Sequence, residues 1–255
     1  MITALISDIH SNLEALEAVM TDIEDRGADR IVCLGDVVNY GPDPAECLRI
    51  ARTLDLVLLG NHEEAVMYGA IGFNVHAREA AEWTRDALKP SLFGNGERLE
   101  NWVFIRNLPK RKQEDSVYLV HASPRDPTSE YLLPSESDPL LGEPSEKLKG
   151  CFERIDRVCF VGHTHLPGVF RERGPFATPE DLDGEFVLPD DEKAIVNVGS
   201  VGQPRDRNPK SCYVTFDGEV VRYHRVEYDR ETTCRKIKAT RGLPDRGGER
   251  LLEGI

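Results

Sequence analysis

Ile2-Thr3-Ala4-Leu5-Ile6-Ser7-Asp8-Ile9-His10 begins as a short apolar run and stops at an acid and a histidine two residues apart. The same habit returns along the chain. Residues 31–34 lead into Gly35-Asp36, 56–59 into Gly60-Asn61-His62-Glu63, and 117–120 into His121. Residues 158–161 lead into Gly162-His163-Thr164-His165, and 195–198 into Gly199-Ser200. Each run is β-branched or Leu-rich and closed by Gly or a polar residue, the signature of a strand buried on both faces. Helical spacing fills several of the gaps. Leu13, Leu16, Ala18, Val19 and Ile23 follow the N-cap candidates Ser11 and Asn12. Pro44 opens a segment over 44–53. Asn74 precedes Ala77, Ala80, Ala81, Trp83, Ala87 and Leu88. Alternation of strands and helices predicts an α/β fold with parallel pairing, and ligands in such sheets bind beyond the carboxyl ends of the strands. Six polar strand ends therefore point to one shared site.

The remainder reads less sharply. Residues 171–193 are rich in Pro, Gly, Asp and Glu and are expected as a loop or small hairpin insertion. Residues 212–228 alternate around Asp217-Gly218, a hairpin signal. Residues 230–240 suggest a helix, and 242–255, with Gly247-Gly248, a flexible tail. One domain over 1–241 is expected. The net charge of −13 disfavours nucleic-acid polymers and anionic membranes, while bound divalent cations would still admit an anionic substrate. No stretch reads as a signal peptide or a membrane span, and the six cysteines lack Cys-x-x-Cys spacing. Reduced thiols in a cytoplasmic protein follow as the expectation.

The polar strand ends supply Asp8, His10, Asp36, Asn61, His121, His163 and His165, enough for two metal ions. On an extended segment residues i and i+2 face one way, so Asp8 with His10, and His163 with His165, are expected to act in pairs. The mixed N/O set suits two divalent transition metals, Mn²⁺ or Fe²⁺ first, with Zn²⁺ or Ni²⁺ admitted. His76 and His224 match no motif and read as structural.

The order Asp8-x-His10, Gly35-Asp36, Gly60-Asn61-His62, His121, Gly162-His163-x-His165 resembles the calcineurin-like metallophosphoesterase superfamily, over roughly residues 1 to 206 and closest to its compact bacterial phosphodiesterases. The resemblance implies a four-layer α/β/β/α sandwich with a dinuclear site at the strand ends. Asp8, His10, Asp36 and His165 would then hold one ion, and Asp36, Asn61, His121 and His163 the other, with Asp36 the bridge. A hydroxide between the ions would attack phosphorus, and His62 would protonate the leaving group as general acid. Three positions depart from the family's protein phosphatases. Asn39 stands where an Asp orients the catalytic His, and Tyr40 and Leu59 stand where two Args clamp phosphate. The expected function is therefore a metal-dependent phosphodiesterase acting on small phosphodiesters or nucleotide-type substrates. Phosphoprotein phosphatase and a non-catalytic metal-stabilised scaffold are the alternatives. Arg125 and Arg205, on loops after His121 and the 195–198 run, are the candidate substrate anchors.

Overall fold

A computed structural model describes residues 1–91, 96–137 and 144–255. Eleven strands carry the fold: β1 (Thr3–Ile6), β2 (Arg30–Cys33), β3 (Leu56–Val57), β4 (Arg111–Glu114), β5 (Val117–Val120), β6 (Val158–Val161), β7 (Gly168–Arg171), β8 (Glu185–Val187), β9 (Ala194–Asn197), β10 (Ser211–Phe216) and β11 (Val220–Val226). The helices are α1 (Leu13–Asp25), α2 (Pro44–Ala51), α3 (Asn61–Tyr68), α4 (Val75–Leu88), α5 (Glu97–Arg106), α6 (Glu146–Phe152), α7 (Arg230–Ala239) and α8 (Asp245–Glu253). Asn12 and Asn74 cap α1 and α4 through their side-chain oxygens.

The strands form two sheets, ordered β3-β2-β1-β10-β11-β8 and β4-β5-β6-β9-β7. β1–β2–β3 are parallel, as are β5–β6–β9, so each sheet brings three strand ends to the same edge. The pairings to β10, β4 and β7 are antiparallel. Period-2 alternation explains how both faces are filled. Leu5 of β1 and Val158 and Phe160 of β6 share one core with Val32 and Val214 between the sheets. Ala4 and Ile6 turn the other way, onto Leu16, Val19 and Leu48 of α1 and α2. Cys159 and Val161 pack with Leu148 and Phe152 of α6.

Two regions differ from the sequence reading and a third refines it. Residues 242–255 are not a loose tail: α8 packs on α7, with Leu251 and Leu243 beside Ile237 and Ala80. Gly248 is what permits this, because a Cβ there would stand about 3.0 Å from Cys234 Sγ. The 171–193 segment, expected as a loop or small hairpin insertion, is mostly loop around one short strand, β8. It leaves β7 at the edge of one sheet and reaches β8 at the edge of the other. Finally, β4 and α5 had no sequence signal; β4 reads Arg-Lys-Gln-Glu, an exposed edge strand without apolar alternation.

Candidate metal centre

Asp8, His10, Asp36, Asn61, His121, His163 and His165 converge at the shared strand edge. Six of them are 4% exposed or less, and Asn61 lines the adjoining cavity. They meet for a different reason from the one expected. The pairs Asp8/His10 and His163/His165 lie past the ends of β1 and β6, and not on extended backbone. Asp8, His10, Asp36, His163 and His165 all have φ between 50° and 65°, the left-handed region that side chains with a Cβ disfavour. Ser11, Asn39 and Tyr40 are left-handed too, so eight of the eleven such non-glycine residues described cluster here. Backbone strain concentrated at one place marks a functional constraint.

Hydrogen bonds hold these strained turns. Glu63 is the hub that sequence reasoning quoted without a role. Its carboxylate accepts from the backbone N–H of Asp36 (2.9 Å), Val37 (2.8 Å), Val38 (3.1 Å) and Gly60 (2.9 Å). The signal was present, since Glu three residues after a helix cap is a capping-box pattern. Asn197 donates to the Gly162 carbonyl (2.7 Å) and Thr164 Oγ1 (2.8 Å), and Ser200 donates to the Asp8 carbonyl (2.8 Å). Gly60 and Gly162 back directly onto the side chains of Asp36 and Asp8, so a Cβ at either would displace a carboxylate.

Each carboxylate has one oxygen fixed and one left over. Asp8 Oδ2 accepts from His163 N–H (2.9 Å), while Oδ1 is buried without a hydrogen-bond donor. Asp36 Oδ1 accepts from His62 N–H (2.8 Å), and Oδ2 faces His121 Nε2 at 3.2 Å and His10 Nε2 at 3.9 Å. Burial opposes the charged form of both acids, yet the surrounding imidazoles win, His165 for Asp8 and His121 for Asp36, and both are pushed below the usual carboxylate range.

The imidazole tautomers divide the histidines. Nδ1 of His10 meets the Val38 carbonyl (3.3 Å) and Nδ1 of His165 meets that of Gln203. A carbonyl only accepts, so both Nδ1 atoms carry the hydrogen. Their Nε2 atoms then face each other at 3.1 Å with lone pairs on both sides. Burial pushes both histidines down, which keeps a proton from bridging them. A cation satisfies two facing lone pairs and the bare Asp8 oxygen beside them. His163 Nε2 is likewise buried without a partner, and His121 Nε2 lies 3.1 Å from Asn61 Oδ1. Burial depresses His163 to about 3, whereas Asp36 overcomes the burial of His121 and lifts it to about 9.

His62 is arranged the opposite way. Asn39 Oδ1 accepts from Tyr40 N–H (2.7 Å) and Nδ2 reaches the Ala77 carbonyl (3.3 Å), which fixes the amide. Nδ2 therefore donates to His62 Nδ1 at 2.5 Å. Neutral His62 must carry its hydrogen on Nε2. By proximity His62 groups with His10 and Asp36 as a metal-holding set, but an Nε2 that bears hydrogen has no lone pair to offer. The set Asp8/His10/His165 carries no such objection; in the set Asp36/His121/His163, His121 Nε2 faces two acceptors, Asn61 Oδ1 and Asp36 Oδ2, so a metal there would displace its hydrogen. Burial, assisted by Arg205, lowers His62 to about 4.

The two expected anchors part company. Arg205 donates to Gln203 Oε1 (2.8 Å) and lies close enough to depress His62 and His165. Arg125 faces Glu130 at 3.5 Å beside a cavity that also includes Arg111, Lys112 and Arg154 and none of the seven strand-end residues. The neighbouring Asp126 does not pair with it and instead ties its own loop, accepting from Thr128 and Ser129 N–H. Among the described residues no helix is long and apolar enough to cross a membrane.

Residues 1–219 match the calcineurin-like phosphoesterase superfamily domain. An uncharacterised protein of Methanocaldococcus jannaschii is 39% identical, over 98% of this chain and 97% of its own. The crystal structure of a metallophosphoesterase from Sphaerobacter thermophilus is similar at a TM-score of 0.82 and 34% identity, covering 100% of this chain and 99% of the other. A symmetrical bis(5'-nucleosyl)-tetraphosphatase of Erwinia tasmaniensis is 30% identical over 48% of this chain and 44% of its own length.

Proposed function

The chain belongs to the calcineurin-like phosphoesterase superfamily, and we propose that it is a dinuclear metal-dependent phosphodiesterase acting on small phosphodiester or nucleotide-type substrates. The observation that carries this reading is the opposed tautomers. His10 and His165 turn bare Nε2 atoms inward, and His62, over the adjoining cavity, presents Nε2–H. Asp8, His10, Asp36 and His165 would hold one ion, and Asp36, Asn61, His121 and His163 the other. The N/O donor set fits Mn²⁺ or Fe²⁺, and accepts Zn²⁺ or Ni²⁺. When bound, such ions acidify water and stabilise charge on phosphoryl oxygens.

The chain's own contribution is orientation and one hydrogen. Asp36, clamped through Oδ1, would share Oδ2 between the two ions. His62 offers Nε2–H to the departing oxygen. With Nδ1 already bonded to Asn39, it acts as a hydrogen-bond donor, a different role from the general acid implied by the family resemblance. A donor of this kind stabilises negative charge without delivering a full proton. It suits leaving groups that carry charge well, such as phosphoanhydrides and aryl oxides, better than alkoxides. The partial similarity to a tetraphosphatase points the same way. Tyr40 and Leu59 leave no arginine clamp at those positions, which argues against phosphoprotein substrates. Six buried, unbridged cysteines support a cytoplasmic location.

The test is turnover of bis(p-nitrophenyl) phosphate, a phosphomonoester and diadenosine tetraphosphate by purified protein with Mn²⁺, Fe²⁺, Zn²⁺ or Ni²⁺. Metal-dependent hydrolysis is expected, and inactivity with every metal on every substrate would sink the reading. Asn39→Asp sharpens it. A carboxylate would pull the hydrogen to Nδ1 and raise the pKa of His62. Activity on poor leaving groups relative to p-nitrophenolate should then rise about tenfold or more. An unchanged ratio would remove the tautomer from the mechanism.

A further inference from the structure

Beside the metal edge lies a second cavity of about 650 Å³, larger than the roughly 260 Å³ space over Asn61, His62 and His163. Tyr40 and Asn74 form a wall of both, so the two spaces adjoin. Arg246 and Arg250 of α8 line the larger one, together with Gln203. Gln203 ties this cavity to the metal edge twice, since its carbonyl holds His165 and its side-chain oxygen holds Arg205 at 2.8 Å.

The three arginines are close enough to repel. Burial first, then Arg205 and also Arg246, push Arg250 below its ordinary pKa, although a guanidinium stays charged at any relevant pH. Among the described residues none of Arg205, Arg246 and Arg250 forms an ion pair. Arg205 Nε is buried with no partner at all. Arg250 donates Nε to a backbone oxygen of Ile255 at 2.6 Å, and its two terminal nitrogens have no hydrogen-bond partner among the described residues. In a chain of net charge −13, carboxylates answer Arg26, Arg30, Arg49, Arg52, Arg222 and Arg225. Arg246 is exposed and Arg205 and Arg250 are half-buried; like charges held this close, with no side-chain carboxylate among them, favour an anion that completes them.

We propose that Arg205, Arg246 and Arg250 form a subsite for phosphate groups beyond the scissile phosphorus, so that the preferred substrate carries a phosphate chain, as in a dinucleoside polyphosphate. This rests on the phosphoesterase reading and narrows its substrate class. Guanidinium forks match phosphate oxygens two at a time, and successive phosphates can pass Tyr40 from the smaller space into the larger. Arg246 and Arg250 lie beyond residues 1–219, outside the segment that defines the family. Substrate choice would thus be set by a part of the chain that the shared chemistry does not need.

The experiment compares wild type with the double variant Arg246→Ala/Arg250→Ala and its Lys counterpart, as Mn²⁺-loaded full-length protein. Substrates are diadenosine tetraphosphate and bis(p-nitrophenyl) phosphate, which has no further phosphate. The ratio of kcat/KM for tetraphosphate over diester should fall about 10–100-fold in the Ala variant, mainly through KM, with partial recovery in the Lys variant. A ratio within about twofold of wild type overturns the subsite, whether both activities hold or fall together. So does a wild type that cleaves the diester and ignores the tetraphosphate. If wild type cleaves neither, the phosphoesterase reading fails separately. The subsite is then judged by calorimetric titration of inorganic tripolyphosphate into full-length protein without added metal. Binding at least about tenfold weaker in the Ala variant upholds it, and equal binding overturns it. If the Ala variant fails to fold, Arg246→Gln and the Lys variant carry the same two comparisons.

Discussion

The two halves of the proposed metal centre are built to different standards. In the Asp8/His10/His165 half, both imidazoles are tethered through Nδ1 to backbone carbonyls and Asp8 is clamped by a backbone N–H. In the Asn61/His121/His163 half, His121 Nδ1 has no partner, and His163 is steadied by the Tyr131 ring, centroids 4.1 Å apart. Tyr131 itself is 47% exposed. Only the second half opens onto the cavity shared with His62. Outer-shell hydrogen bonds fix tautomer and ligand direction and typically change metal affinity about 10–100-fold. The first half therefore resembles a permanent mounting and the second an adjustable contact facing the substrate.

Three experiments on four substitutions probe that asymmetry. Asp36 belongs to both halves, so Asp36→Asn should remove both ions and lower kcat/KM by at least about 10³-fold. Elemental analysis after loading with Mn²⁺ checks it, and two retained ions would show that Asp36 is not shared. The next effect separates the halves. His163→Ala should keep one ion through desalting, while His165→Ala should lose its most tightly held one. Equal retention in the two variants would erase the distinction. The smallest effect is a control remote from both. His224 bonds Thr215 Oγ1 at 2.8 Å, and burial lowers it to about 4. The unfolded chain, with an ordinary value near 6.5, binds more protons between those limits. Stability is therefore flat above about pH 6.5 and falls as pH drops towards 4. His224→Gln should lessen the melting-temperature loss between pH 7 and 5 by about 2–4 °C. This isolates acid sensitivity of the fold from that of metal binding; an unaltered slope would place the sensitivity elsewhere.

How far the sequence could be read depends on what kind of force shaped each part. The six buried strands were legible because both faces need apolar side chains, leaving uninterrupted runs that stop at Asp8, Asp36, Asn61, His121, His163 and Ser200. The convergence of the seven candidate ligands was legible for the same reason. The left-handed turns were not, because five of the proposed ligands adopt φ values that their side chains disfavour and that only the surrounding hydrogen bonds enforce. β4 was hidden by its polar edge position. α8 was hidden by Gly247-Gly248, residues that oppose a helix in isolation but allow close packing on Cys234. Arg246 and Arg250 went unnoticed with it.

If the five left-handed residues are ligands as proposed, they constrain how such a protein can drift. At Asp8, His10, Asp36, His163 and His165 the bare chain would relax if the residue were glycine, which enters that region without penalty. A screen for thermal tolerance under metal starvation would therefore enrich the very replacements that abolish the centre. Only selection that rewards the loaded protein can keep these five positions occupied.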